Sequence, residues 1–440
     1  MKTERLFYRN PVVLLLLIAL LLALSGCTPA TPEAPATPSA TVIPPTATST
    51  LVPTATPVPT DTPTPFVPKA TIKIASQSPL SGDFAATGTD IMRGAELAVR
   101  QLADPLMELG YKIELAPYDD QNNVGEAVSV AKEIVADPEI LCGVGPYTSR
   151  IFIQVEEIYH QACLAFVSPS ATAVFVTESG YLEVNRVVGR NDGEGAAGAQ
   201  FAKAQGFARV FIISQNTDPT TFIAENFRNA ASRLGVTVVG DMSTDATENF
   251  DWLIDRVISN NADLVYFSTL SVEQAGGFFR EARAAGYKGA FMGLSSLDNP
   301  GLLESAGPLL ISDGGMYYTN VVLPAMNYPD ASNFVEDFET LYGSSTPQFF
   351  SVQAYDAAGV CMKAIEEASI VKGGEVPTRA EVASAIRALQ DYQGITGVYN
   401  FDKKGDLNPA EYFVFQAVST DPEDWSQNPL ITSFEIAPVP

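Results

Sequence analysis

Side chains able to do covalent or metal chemistry are scarce in this sequence. His160 is the only histidine, and no His or Cys pair has metal-ligand spacing. It ends an apolar-periodic stretch beside Gln161, where a solvated helix-end imidazole is expected. There is no G-x-S-x-G elbow and no phosphate-cradling P-loop. Ser129-Val130-Ala131-Lys132 has the S-x-x-K spacing that lets a lysine activate a serine. However, Val130 and Ala131 belong to a helical core stripe, and no S-D-N or K-T-G partner occurs. Gly143-Val144-Gly145 lacks the third glycine of a dinucleotide loop. The expectation is no catalytic residue, no metal and no cofactor.

The sequence does supply binding chemistry. Three loops, 77–88, 145–149 and 168–172, follow apolar runs, and the latter two are rich in hydroxyls and lead into helical patterns. Ser149, Ser170 and Thr172 put donors where a helix start also offers unpaired backbone N–H groups and partial positive charge. Together they would hold a small carboxylate without a buried cation. Ser and Thr are also ordinary helix caps, and spacing alone does not separate the two roles.

The elements that must position these residues alternate. Strand patterns at 71–75, 112–118, 140–144 and 163–167 are separated by helical patterns at 88–102, 124–136 and 149–161. The rhythm restarts near 193, with strands at 210–214, 236–239, 264–267 and 290–292 and helices at 194–205, 222–234, 250–259 and 273–285. Helices follow at 332–341, 351–368 and 378–389. Extended pieces at 397–401 and 412–416 flank a turn at 402–406, where Gly405 suits a positive φ. Such strand–helix repetition implies an α/β fold of two doubly wound parallel-sheet lobes, with helices on both faces of each sheet. Residues 187–193 read as a first crossing between lobes and 314–318 as the return. The expected division is 70–189 plus 318–395 for lobe 1 and 190–317 plus 396–440 for lobe 2.

The N-terminus reads as an address. Lys2, Arg5 and Arg9 precede an uncharged stretch, 10–26, that is almost purely aliphatic from 12 to 23. That length suits a secretory signal. Leu24-Ser25-Gly26-Cys27 resembles the lipobox of bacterial lipoproteins, which implies a signal peptide at 1–26 and a lipid on Cys27 as membrane anchor. Residues 28–68 are dominated by Thr, Pro and Ala, with only Glu33 and Asp61 charged. This is too little apolar surface to offset ordering entropy, so a disordered, semi-stiff tether is expected over 27–69. Formal net charge is −25 for the chain. Residues 1–26 carry three cations and one anion, leaving the remainder near −27, which repels nucleic acid and anionic headgroups. Besides Cys27 there are Cys142, Cys163 and Cys361. Export permits disulfides, and Cys142 and Cys163 can meet if their apolar runs are neighbouring strands. Buried free thiols are the alternative.

One resemblance ties these segments together. Ile72-Lys-Ile-Ala75, Pro79-Leu-Ser-Gly82, Gly94-Ala-Glu-Leu-Ala-Val99, Tyr118-Asp-Asp-Gln121, Val144-Gly-Pro-Tyr-Thr-Ser149, Ser168-Pro-Ser-Ala-Thr172, Ala282-Arg-Ala-Ala-Gly286, Phe291-Met-Gly293, Tyr355-Asp-Ala357 and Phe401-Asp-Lys-Lys-Gly-Asp406 occur in order. The ordered set resembles the leucine/isoleucine/valine-binding proteins, the type I periplasmic binding proteins. The resemblance implies two lobes joined by a three-crossing hinge, with a small-molecule ligand in the cleft. It also implies that Ser149, Ser170 and Thr172, around Ala171, contact the ligand's carboxylate and amino group. It further implies a monomer that delivers its ligand to ABC permease subunits. A sensory receptor with a membrane signalling partner is the alternative on the same fold.

Several cleft positions depart from the pattern. Where amino-acid binders carry an acid for the ligand ammonium, just after Phe-Met-Gly, this chain has Ser295, with Asp298 nearby. The first-loop tyrosine is Thr87, and a Tyr-Gly is replaced by Thr220-Thr221. Tyr147 and Phe350 remain as aromatic walls. A wider, more polar pocket than a leucine site is expected.

Overall fold

The computed structural model describes residues 67–343 and 347–438. The signal, Cys27 and nearly all of the tether therefore lie outside the described residues. A first sheet is built from β1 (Ala70–Ser78), β2 (Tyr111–Asp119), β3 (Ile140–Val144), β4 (Ala165–Ser168) and β5 (Val184–Arg186), in the order β2-β1-β3-β4-β5. All its pairings are parallel, so consecutive strands need crossovers. Helices α1 (Ala85–Leu102), α2 (Val124–Ala136) and α3 (Ser149–Gln161) supply three of them.

The strand period decides which helices cover which face. Phe166 packs with Ala127, Ile134, Phe152 and Tyr159 of α2 and α3. Its neighbours Ala165 and Val167 point the other way, into the core that contains α1 and α9 (Ser351–Val371). Gly94 lets α1 and α9 touch, because a Cβ there would lie 1.9 Å from the Ser351 carbonyl oxygen.

The second sheet runs β14-β13-β10-β9-β8-β6-β7. Its strands are β6 (Arg209–Gln215), β7 (Thr237–Thr244), β8 (Leu264–Ser268), β9 (Ala290–Gly293), β10 (Met316–Asn320), β13 (Ala410–Ala417) and β14 (Leu430–Ile436). β6 to β10 are mutually parallel, whereas β13 runs antiparallel to β10 and β14 antiparallel to β13. Helices α4 (Asn191–Gln205) and α5 (Asp218–Leu234) cover the face bearing Ile212, Tyr266 and Met292. Helices α6 (Asp251–Ser259) and α7 (Val272–Ala284) cover the face bearing Phe211, Phe267 and Phe291. The two lobes, both doubly wound and dominated by parallel pairing, match the expected fold class. The closing antiparallel hairpin is an addition: its last strand, at 430–436, carries no strand pattern distinct enough to read.

The chain passes between the sheets three times. It leaves the first after β5 and enters α4. It leaves the second after Asn320 and returns to α8 (Ser332–Tyr342), α9 and α10 (Arg379–Ala388). It crosses again beyond the small ribbon of β11 (Tyr392–Gln393) and β12 (Val398–Tyr399) to reach β13. The return read at 314–318 falls inside or just before β10, so the crossing itself starts later.

Buried charge pins the first and third crossings together. Arg186 is fully buried and donates through Nε to Asp406 at 2.7 Å; Arg190 reaches the same carboxylate at 3.1 Å and Asp192 at 2.8 Å. Burial alone would raise the Asp406 carboxyl, but the two guanidiniums overcome that and hold it below its ordinary value. Arg186 also donates to the carbonyls of Ala171 and Ala173, bracing the loop after β4.

The cysteine expectation is corrected. Cys142 is bonded to Cys361 of α9, with Cα atoms 5.8 Å apart, and Cys163 is free and exposed. β4 begins only at Ala165, which is the partner of Cys142 in the ladder. Cys163 sits in the preceding turn at φ 53° and never comes alongside. Helix α9, lying across the sheet, brings Cys361 over β3 instead.

Candidate functional site

The carboxyl ends of both sheets face a common opening, the position where open α/β sheets take ligands. A cavity of about 370 Å³ lies there. From the first lobe its wall includes Thr87, Tyr147, Ser170, Thr172 and Phe350. From the second it includes Glu194, Leu294, Ser295, Ser296, Asp298 and Asn320, with Asn191 at the start of α4. A separate cavity of about 420 Å³ lies among the crossings themselves, lined by Val187, Val321, Tyr399 and Phe413 among others. It contains none of the strand-to-helix hydroxyls.

On the first-lobe side, backbone geometry brings two loops together. Gly145 has φ 112°, and a Cβ there would come within 2.1 Å of the Gln77 carbonyl oxygen, so only glycine allows this bend. Ser168 donates to the Pro146 carbonyl at 2.9 Å and accepts from the Ala171 N–H at 2.9 Å. Ser170 donates its hydroxyl proton to the Tyr147 carbonyl at 2.7 Å. With its proton so used, this hydroxyl on the cavity lining can offer a ligand only an acceptor, suited to an ammonium rather than a carboxylate. The Ala173 N–H donates to Ser149 Oγ at 3.1 Å, which joins the start of α3 to the loop carrying Thr172.

Not every expected residue reaches the wall. Ser149 does not line the cavity; its Oγ accepts from the Ala173 N–H. Ala171 is fully buried, held by Arg186. Thr220 is also fully buried and donates to the Gln215 carbonyl at 2.6 Å. The reason is that α5 starts at Asp218, with Pro219 in its first turn, four residues earlier than the apolar spacing suggests. That start takes Thr220 into the helix and away from the opening.

A buried acid does stand on the cavity wall: Glu194. It lies in the first turn of α4, is 1 % exposed and lines the cavity. Ser295 donates to it twice, from its backbone N–H at 2.7 Å and from Oγ at 3.0 Å, and Thr319 adds a third bond at 2.7 Å. Ser295 thus holds a carboxylate instead of replacing one. Burial pushes the Glu194 carboxyl up to about 7 despite these three donors, with nearby Asp192 adding to the rise. A signal was present in the sequence: residues 193–199 are all Gly or Ala apart from Glu194. A helix this small on every side packs closely all round, so a lone acid within it is buried.

Asp298, the other carboxylate on the wall, is already engaged. It accepts from Asn320 Nδ2 at 2.7 Å and Trp425 Nε1 at 2.8 Å, and burial raises its carboxyl. Along the opposite lip Phe84, Tyr147, Phe350 and Phe349 form a strip with ring centroids 5.9, 6.2 and 6.4 Å apart. Phe350 adopts φ 74°, a left-handed conformation costing roughly 1–2 kcal/mol for a residue with a Cβ. Such outliers persist where the surroundings over-determine them. Here the backbone turns so that the ring meets Tyr147 above the cavity. No group of acids, histidines or cysteines able to hold a metal occurs among the described residues.

A family described as periplasmic binding protein matches residues 71–422. The Leu/Ile/Val-binding protein of Rhizobium johnstonii is 27 % identical over 350 residues, covering 79 % of this chain and 92 % of that protein. The leucine-, isoleucine-, valine-, threonine- and alanine-binding protein of Pseudomonas aeruginosa is 28 % identical over 350 residues, covering 79 % and 90 %. The crystal structure of a putative branched-chain amino acid ABC transporter from Rhodospirillum rubrum superposes with a TM-score of 0.68 at 25 % identity, covering 80 % of this chain and 99 % of that one.

Proposed function

The chain belongs to the periplasmic binding protein family, and from that premise we propose that it captures an α-amino carboxylate in its cleft and delivers it to an ABC importer. One observation carries this reading. A cavity between two lobes has the hydroxyl residues Thr87, Ser170 and Thr172 on one side and a buried carboxylate, Glu194, on the other. The Thr172 hydroxyl, on the cavity wall, receives the ligand carboxylate. The Ser170 oxygen and Glu194 receive its ammonium, which replaces the lost hydration of both partners with charge-assisted bonds.

Because the two ends of such a ligand are held by different lobes, binding favours the closed arrangement, and the ligand shifts the population by its differential affinity. Closure around the three crossings then presents a surface that a permease can distinguish from the open form. The lipobox-like Leu24-Ser25-Gly26-Cys27 supports a lipid anchor, with the Thr- and Pro-rich stretch as the leash.

The test is a thermal-shift and calorimetric comparison of L-amino acids with their deaminated and amidated analogues. A ligand of the native state raises the melting temperature. Amino acids should bind, and removal of either charged end should abolish most of the affinity. Binding that survives loss of the amino group would refute the role given to Glu194. Absence of binding by every amino acid would refute the ligand class.

A further inference from the structure

Beyond Asp298 and Phe349 lies a second chamber of about 580 Å³, larger than the cleft cavity. Asp298, Gln348 and Phe349 line both, so the two spaces share a wall. The floor of the second is aromatic. Tyr318 stacks on Phe415 at 5.5 Å and on Trp425 at 5.7 Å, with interplanar angles of 11° and 16°. The Trp425 indole is locked by its bond to Asp298, so a residue of the cleft wall also sets the orientation of this floor.

The chamber spans both lobes. Tyr318, Phe415 and Trp425 come from the second sheet and its hairpin. Pro324, Met326 and Phe349 come from the segments flanking α8 on the other side. Met326 is 66 % exposed and Phe349 41 % exposed, an apolar rim with nothing covering it among the described residues. Polar groups are present, but among the described residues no Lys or Arg lines the chamber, while Asp298 and Glu423 do. A second anionic end on the ligand is therefore disfavoured, and a flat, uncharged group fits the stacked floor.

We propose that this chamber receives an aryl group at the far end of the same ligand whose charged head sits in the cleft. The ligand is then an α-amino acid with a long aryl-bearing side chain rather than a branched-chain one. This deepens the reading above and rests on it. Adjacency to the cleft argues for that occupant: Asp298, Gln348 and Phe349 line both spaces, so a side chain leaving the head toward them has the chamber on their far side. A ring there touches both lobes, so it adds to the preference for closure.

The experiment is calorimetry on the full chain with L-alanine, L-phenylalanine, L-homophenylalanine and 2-amino-5-phenylpentanoate. Affinity should climb along the series, with the longest exceeding alanine by roughly tenfold to a hundredfold, as expected for burying one ring. Met326→Arg and Ser426→Arg place a long cation in the chamber from opposite lobes, at exposed positions whose replacement leaves the core intact. Each should cancel the gain and leave alanine binding unchanged. Alanine binding with no gain along the series would overturn the chamber while sparing the cleft reading. A gain that survives both variants would overturn it too. Failure of all four probes would overturn the chamber, and failure of every other amino acid as well would overturn the cleft reading too.

Discussion

Replacing Glu194 by Gln tests the buried acid in the protein without ligand. Wild-type Glu194 holds its proton to about pH 7, whereas the unfolded chain releases it near 4.5. Below about 4.5 the carboxyl is protonated in both states and costs nothing. As pH rises from there to about 7, the native state keeps a proton that the unfolded state has lost, so stability falls. Above 7 the full penalty applies, about 3 kcal/mol for a shift of this size. Glutamine can keep the arrangement: Oε1 accepts from the Ser295 N–H and Thr319, and the amide donates to Ser295 Oγ, whose proton is free to rotate. The variant should thus gain on wild type by about 3 kcal/mol between acidic and alkaline pH, roughly 4 °C for a domain of this length. The nearby groups, Asp192 with its partner Arg190, Tyr266 and Tyr412, are common to both proteins and cancel in the comparison. Paired ligand-free thermal melts from about pH 4 to about pH 8 read the difference. Melting curves that stay parallel across that range would refute the buried, proton-holding carboxyl. Amino-acid affinity supplies the complementary readout. It should fall as pH drops below 7 in wild type, because the ammonium must displace a proton, and be weak and pH-independent in Glu194→Gln.

Other outcomes follow from the same geometry. Thr172→Ala should weaken ligand binding by about 1–3 kcal/mol through an unpaired ligand oxygen, read by calorimetry, while Thr220→Ala should leave affinity unchanged because that hydroxyl faces the helix. Asp406→Ala strands the buried Arg186 guanidinium and should destabilise the fold by roughly 3–5 kcal/mol in denaturant titrations; wild-type stability would exclude the hinge network. Cys361→Ala should cost about 2–5 kcal/mol by removing the cross-link to Cys142, whereas Cys163→Ser should be neutral. Peptide mapping after alkylation without reductant should find Cys163 modified and Cys142 and Cys361 protected.

Much of this protein was decided locally. The apolar periods at 88–102, 124–136 and 210–214 are set by residues within a few positions of each other, and the structure places helices or strands at each. The order of those elements dictated crossovers, parallel pairing and two lobes, because parallel neighbours cannot be joined by tight turns. The loops at 145–149 and 168–172 could also be recognised, since glycine and hydroxyl residues between a strand and a helix have few other uses.

What the chain could not show by itself was which distant side chains meet. Cys142 lies opposite Cys361, 219 positions away, because α9 crosses the sheet. Glu194 becomes the cleft acid only when the loop after β9 turns Ser295 onto it and β10 adds Thr319. Sequence spacing reports the face of an element a residue occupies. Whether a carboxyl there is hydrated or forced to share its charge with three donors depends on what distant strands of its own lobe pack against it, and that is fixed only when the second sheet is assembled.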